Sequence, residues 1–329
     1  MPAEWEPHAA TWLSWPHKEA SWPGKFAPIP KVFARLARTL ARNETVNILA
    51  GDGASADAYK HVGNVPNVEI HVVETDDAWI RDSGPTFLVG PADQPPAVVN
   101  WGYNAWGGKY PPFEQDDRIP SEIAAITRRK IFTPRMILEG GAIDVNGRGT
   151  LLTTEQCLLN KNRNPKLDKP AIEKYLRDYL NVSNILWLKE GIVGDDTDGH
   201  IDELARFVNP TTIVAAVESD DSDENYAVLQ KNLADLRAMT DQDGKPFTVV
   251  ALPMPRPLFY DDQRMPGSYT NFYIANGTVV VPQFGDPADW DVLDILRPLF
   301  PGREVVGLPA RDLAWGLGAF HCVTQQEPR

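Results

Sequence analysis

Cys322 lies close to the end of the chain, directly after His321, in the run Gly318-Ala319-Phe320-His321-Cys322-Val323-Thr324-Gln325-Gln326. A thiol so near a terminus frays into solvent unless the last segment docks in the interior. A thiol that does chemistry also needs a base and something to hold its electrophile. Three further segments offer such groups: Gly199-His200-Ile201-Asp202, Arg81-Asp82-Ser83-Gly84-Pro85 and Glu139-Gly140-Gly141. Together these residues point to attack of a thiolate on a guanidinium carbon.

Each segment also has an ordinary reading. His200 and Asp202 are two apart, so a strand over 199–208 would turn both to one face, with Ile201, Ala205 and Phe207 on the other. Glu203 breaks that alternation, and His200 could equally be a surface residue. Asp82 could be a turn or capping aspartate ahead of Gly84-Pro85. Glu139-Gly140-Gly141 follows the apolar Met136-Ile137-Leu138 and reads equally well as a hairpin turn. A metal hydrolase would use His200, Asp202, Glu139 and Cys322 as ligands, but no His-x-x-x-His or Cys-x-x-Cys spacing supports one. Asp195-Asp196-Thr197-Asp198-Gly199 misaligns with a calcium loop, because Gly194 and Ala205 would stand where carboxylates belong. Gly51-Asp52-Gly53-Ala54-Ser55-Ala56 imitates a dinucleotide fingerprint, but Asp52 would face a pyrophosphate and the helix after it reads as short, so a plain strand-to-helix turn is expected. Cys157 reads as a small buried hydrophobe.

The 329 residues are 43% hydrophobic and 23% charged, which gives ample material for a core. A net charge of −13 disfavours nucleic acid and anionic membrane as partners and suits a small cation. No apolar run approaches spanning length, and Met1-Pro2-Ala3-Glu4-Trp5-Glu6 lacks the basic start and apolar stretch of a signal peptide. With Cys157 and Cys322 the only cysteines, no disulfide framework exists, and a cytoplasmic location is expected.

The elements that must position these residues alternate. Apolar runs predict strands at 45–50, 68–73, 97–100, 184–189, 212–217, 247–252, 272–274 with 278–282, and 304–307. Helical spacing falls between them at 29–42, 120–127, 169–179, 226–239 and 290–299, with Phe33, Leu36, Ala37 and Leu40 forming an apolar face in the first. Ala275-Asn276-Gly277 signals a hairpin, so the sheet is not purely parallel. Residues 91–96 and 219–223 read as surface loops, not boundaries, and a single domain over 1–329 is expected. No fixed-period repeat is visible in the letters.

Taken in order, the segments resemble the agmatine deiminases of the Porphyromonas-type peptidylarginine deiminase family, within the guanidino-group-modifying, or pentein, superfamily. The resemblance runs nearly end to end: Met1–His8 with Thr11-Trp12-Leu13 and Trp15-Pro16, Asp76–Pro85, Glu139–Gly141, Gly149–Glu155, Asn160–Pro165, Asp195–Phe207, Gly267–Tyr273 and His321-Cys322. It implies an α/β fold, a five-bladed propeller of ββαβ-like units around a central site. It also implies that Cys322 is the nucleophile, that His200 oriented by Glu139 shuttles protons, and that Asp82 and Asp202 grip the guanidinium beside Trp79. Asp196 would meet the distal end of an amine-bearing substrate, and Asn271 matches a pocket position. No metal or organic cofactor is implied. The substrate would be a small cationic guanidino compound, agmatine foremost, yielding N-carbamoylputrescine and ammonia. Further copies of the chain are the other partner allowed, as a homo-oligomer.

The chain departs from the family pattern at Gly316-Leu317-Gly318-Ala319-Phe320, where a glycine and an asparagine are lost. The guanidinium chemistry survives that change, and the tail attached to the guanidinium is what it bears on. Free arginine, with Arg163 facing its carboxylate, is an alternative substrate. An amidinotransferase would use the same covalent intermediate with an amine in place of water. A non-catalytic binding module of this fold is the reading from outside the enzyme class.

Overall fold

The computed structural model describes residues 1–91 and 94–329. Strands β1 (His8–Ser14), β2 (Thr45–Leu49) and β3 (Val68–His71) run parallel, joined through the helices Ile29–Leu40 and Asp52–Val62. In the first helix Phe33, Leu36, Ala37 and Leu40 are buried, as their spacing predicts. The second is longer than expected, and its first turn is filled by the chain's own carboxylate: Asp52 donates its N–H to Glu74 at 2.8 Å. No room is left there for a phosphate.

Four further units repeat one plan, an antiparallel pair followed by a helix and a third strand parallel to the second. They are β4 (Thr86–Leu88), β5 (Ala97–Val99) and β6 (Ile131–Phe132); β7 (Asp144–Val145), β8 (Thr150–Thr154) and β9 (Asn184–Leu188); β10 (Ala205–Asn209), β11 (Thr212–Val217) and β12 (Thr248–Pro253). After the hairpin of β13 (Leu258–Tyr260) and β14 (Gln263–Met265) comes the last, β15 (Tyr273–Ala275), β16 (Thr278–Gln283) and β17 (Glu304–Pro309). The crossover helices are Ile119–Thr127, Lys169–Leu180, Tyr226–Ala238 and Ala288–Leu296. Lys169–Leu180 shows why its bounds are sharp. Asp168 accepts the Ala171 N–H at 3.0 Å, Pro170 sits in the first turn, and Asn181 ends the helix in the left-handed conformation.

The final strand, β18 (Gln325–Pro328), pairs antiparallel with β1, so both ends of the chain build one sheet. The fold is therefore mixed α/β, with separate small sheets in linear strand order among the described residues. The expected helices and strands recur with ends shifted by a few residues, and the hairpin at 275–277 is present. Strands such as β1 and β8 escape the sequence because almost every residue in them is buried, which erases the alternation of a half-exposed strand.

The strand expected over 199–208 is a correction. Gly199 has φ +87°, and Ile201–Glu203 forms a 3-10 turn before β10 begins at Ala205. The cause is local. The Asp195 carboxylate accepts the N–H of Gly199 at 2.9 Å and of His200 at 3.0 Å, curling the chain into a turn. Residues 219–223 lie largely exposed, and the expected loop at 91–96 falls partly outside the described residues.

Candidate active site

Cys322 is held from several sides. Its segment is buried from Gly318 to Pro328. Arg81 donates its backbone N–H to Cys322 O at 3.1 Å, its Nε–H to His321 O at 3.2 Å and an η N–H to Gln326 at 2.7 Å. Asp82, the next residue on the short helix Ile80–Ser83, thereby faces the same place as the thiol. Asn271 Nδ2 donates to Cys322 Sγ at 3.1 Å and to Glu203 at 2.7 Å, and its Oδ1 accepts the His321 N–H at 3.0 Å.

The two aspartates are prepared differently. Asp82 accepts the Gly141 N–H at 2.9 Å on one oxygen and the Trp106 indole N–H at 2.9 Å on the other. Asp202 Oδ2 lies 2.6 Å from His321 Nδ1, whereas Oδ1 is buried without a partner. A buried unpaired carboxylate oxygen is costly and marks a place built for a donor. His321 is itself fixed through Nε2 to Glu4 at 2.9 Å.

Gly141 marks where these groups meet. A Cβ there would come within 2.6 Å of His200 Nδ1, 2.9 Å of Asp82 and 3.0 Å of Asp202. His200 lies 3.7 Å from Asp82 and 3.6 Å from Glu139, ionic contacts too long for hydrogen bonds, so both ring nitrogens stay uncommitted. Arg163 is buried and donates its Nε–H to Glu139 Oε1 at 2.8 Å, leaving Oε2 toward His200 and, at 3.8 Å, the Cys157 thiol. Arg163 also binds Thr197 O at 2.7 Å and the Asp198 carboxylate. It is thus committed to the interior, not available to a substrate carboxylate.

Burial, then the carboxylates of Asp202, Glu203 and Asp82, push the Cys322 thiol well above its ordinary range. Burial works to lower the His200 ring, but Asp82, with Cys157 and Glu139 beside it, outweighs burial and holds His200 well above its usual value. Glu139 is buried too, yet His200 and Arg163 keep it below the usual carboxylate range. Burial raises Asp82. Against burial, His321 keeps Asp202 low. These directions favour the thiol at Cys322 and the charged imidazole at His200, and a cation beside the sulfur would favour the thiolate.

A cavity of about 380 Å³ opens onto Cys322 and Asp82. Trp79 lines it and stacks on Trp22, with centroids 5.2 Å apart. Asp196 lines it as well, its carboxylate bonded to the Tyr110 hydroxyl and 3.3 Å from Lys109. Cys322, Asp82, Trp79 and Asp196 thus share the cavity, while His200, Glu139 and Asp202 stand just behind it. Asn271 is fully buried and bonded to the Cys322 sulfur, not among the residues that line the cavity.

Trp106, Glu203, His321 and Leu317 were not singled out individually from the sequence. The aromatic and glycine-rich Trp101-Gly102-Tyr103-Asn104-Ala105-Trp106-Gly107-Gly108 was the one available signal for Trp106. Two triplets, Glu139–Cys157–His200 and Asp202–Glu203–Cys322, bring donor atoms within 4.8 Å of one another. In these triplets Arg163 holds one oxygen of Glu139 and His321 one oxygen of Asp202.

Comparison with known proteins bears on the family and the fold. The family model described as Porphyromonas-type peptidyl-arginine deiminase matches residues 1–328. The agmatine deiminase of Pseudomonas aeruginosa is 41% identical, covering 100% of this chain and 95% of its own. The solved structure of the Enterococcus faecalis agmatine deiminase superposes with a TM-score of 0.95 at 33% identity, covering 100% of this chain and 95% of that one. An amidinotransferase of the saxitoxin pathway from Microseira wollei shares the fold alone, with a TM-score of 0.57 at 12% identity over 100% and 97% of the two chains. On the match of nearly its whole length, the chain belongs to the Porphyromonas-type peptidyl-arginine deiminase family.

Proposed function

We propose that the protein hydrolytically deiminates a small guanidino compound, agmatine first, to N-carbamoylputrescine and ammonia. The observation that carries this is the convergence of His200, Asp82 and Asp202 on one point at Gly141, beside a cavity that ends on Cys322. The agmatine deiminases among its relatives support the choice of substrate.

In this reading Asp82 and the free Oδ1 of Asp202 grip the guanidinium, and Trp79 supplies a cation–π face worth about 0.5–2 kcal/mol. The bound charge favours the Cys322 thiolate, the thiol proton passing to solvent, and the thiolate attacks the central carbon. His200 gives its proton to the departing nitrogen as the C–N bond breaks and ammonia leaves. A thiouronium adduct on Cys322 remains. His200 then takes a proton from water as that water attacks the carbon. The C–S bond breaks, the thiolate returns and the ureido product forms. Glu139 orients His200, and Asn271 steadies the sulfur. The covalent route requires no metal or organic cofactor. We place the repeating units as five propeller blades of one domain over 1–329, surrounding this site. No described helix is long and apolar enough to cross a membrane. The net charge of −13 argues against nucleic-acid partners, and the two free cysteines suit a reducing cytoplasm.

Free arginine is the second reading: Lys18 and Lys109 line the cavity, and a substrate carboxylate would have to compete there with Asp77, Asp196 and Asp198, which these lysines already meet. Ammonia release from agmatine, arginine and a blocked arginine peptide, measured side by side, decides between them. Added amines test for amidino transfer in the same vessel. Cys322→Ala should abolish ureido product; turnover by that variant would overturn the nucleophile assignment.

A further inference from the structure

Leu317 has φ +72°, in the left-handed region where a Cβ crowds the backbone and glycine is favoured. Among the described residues the large apolar side chains with such a φ are Trp106 and Leu317, and both line the cavity. Strained backbone persists where surrounding structure forces it, commonly at functional sites. Trp106 has a polar reason, its bond to Asp82. Leu317 has no polar group, so what it contributes is shape.

The loop around it cannot relax. A Cβ on Gly316 would lie 2.5 Å from the Trp22 indole nitrogen and 2.8 Å from Trp79. One on Gly318 would lie 2.7 Å from Trp79 and 3.1 Å from Cys322 Sγ. The backbone on either side of Leu317 is therefore pressed against the stacked indoles and the nucleophile, which fixes where its side chain stands. Charge elsewhere in the cavity is largely spent: Asp77 accepts from Ser21 at 2.6 Å and lies 3.4 Å from Lys18, and Asp196 is bonded to Tyr110 and paired with Lys109. Discrimination between substrate tails then falls to steric fit.

We propose that Leu317 is a specificity-determining residue, an apolar wall beyond Cys322 that selects an unbranched guanidino tail over one branched at its amine-bearing carbon. This rests on the deiminase reading above. Argininamide is a suitable probe, because it adds a neutral carboxamide branch to agmatine and keeps the same two positive groups. Methylguanidine, which has no tail, reports on the chemistry alone. Leu317→Ala removes the wall and keeps the strained backbone type, whereas Leu317→Gly removes both. Both variants should lower the agmatine-to-argininamide ratio of kcat/KM by roughly 10-fold or more, the scale of a small steric group in an apolar pocket. Methylguanidine turnover should stay within about twofold, well inside that steric effect. An unchanged ratio in both variants overturns the proposal. So does a change confined to Leu317→Gly, which would assign the effect to backbone conformation, or an equal fall for all three compounds, which would assign Leu317 to holding Cys322. Wild-type protein releasing ammonia from none of them would instead refute the deiminase reading.

Discussion

The carboxylates of Asp82, Asp202 and Glu203 surround the Cys322 sulfur and favour its protonated form, an effect that a cation among them would oppose. Because its thiol is raised by burial and then by those carboxylates, Cys322 should alkylate slowly with iodoacetamide at neutral pH and react faster only as pH climbs past 9.0, the ordinary cysteine value. Peptide mass spectrometry at Cys322 reads this directly, and fast labelling of the empty protein at pH 7 would contradict it. The two aspartates should also separate by experiment. Asp202→Asn neutralises the carboxylate whose Oδ1 is uncommitted, and should cost roughly 10–150-fold in kcat/KM, the worth of a charged hydrogen bond. Asp82→Asn should cost a similar factor of roughly 10–150 and also disturb Trp106, whose indole N–H it accepts. Calorimetry with agmatine in the Cys322→Ala background isolates the binding part. Unchanged affinity in both would dismiss the clamp.

Short, irregular elements carry the site, and the reason is close approach. Glu139, Gly141, His200, Asp202 and Asp82 sit in or beside single 3-10 or α-helical turns, not in the interiors of long strands. Gly141→Ala would drive a methyl between His200, Asp82 and Asp202. Overpacking of this kind costs about 1–3 kcal/mol of stability, while displacement of reacting groups by about 1 Å costs on the order of 100-fold in rate. We therefore expect a folded variant with at least ~100-fold lower kcat, checked by thermal melting beside the ammonia assay. A fully active Gly141→Ala would show that these side chains do not meet at that glycine.

At the scale of the molecule, both ends of the chain complete one sheet. β18 pairs with β1 through Gln325–Trp12 and Gln326–Thr11, and Glu327 accepts the Trp12 indole N–H at 2.9 Å. Arg81 holds the same segment through Gln326 and the His321 carbonyl. Deleting residues 325–329 should expose the β1 edge, lower Tm by roughly 5 °C or more and abolish activity with it. Retained activity at an unchanged Tm would mean that the site does not depend on that closure.

How much of this was legible depended on which interactions were local. Residue types and their order suggested Cys322, His200, Glu139, Asp82 and Asp202 as candidates, and the resemblance to a family joined them into one set with roles. A helix at 169–179 was readable from apolar spacing, which is local in the chain, and the structure extends it to Leu180. The repeating ββαβ plan was not, since its units share burial and pairing without sharing letters. Nor was the turn at Ile201–Glu203, fixed by the Asp195 carboxylate, or the commitment of Arg163 to Glu139. Those outcomes depend on hydrogen bonds formed only once the backbone has turned or distant segments meet. The identity of the reacting groups was written along the chain; their partners and the space left between them were decided by packing.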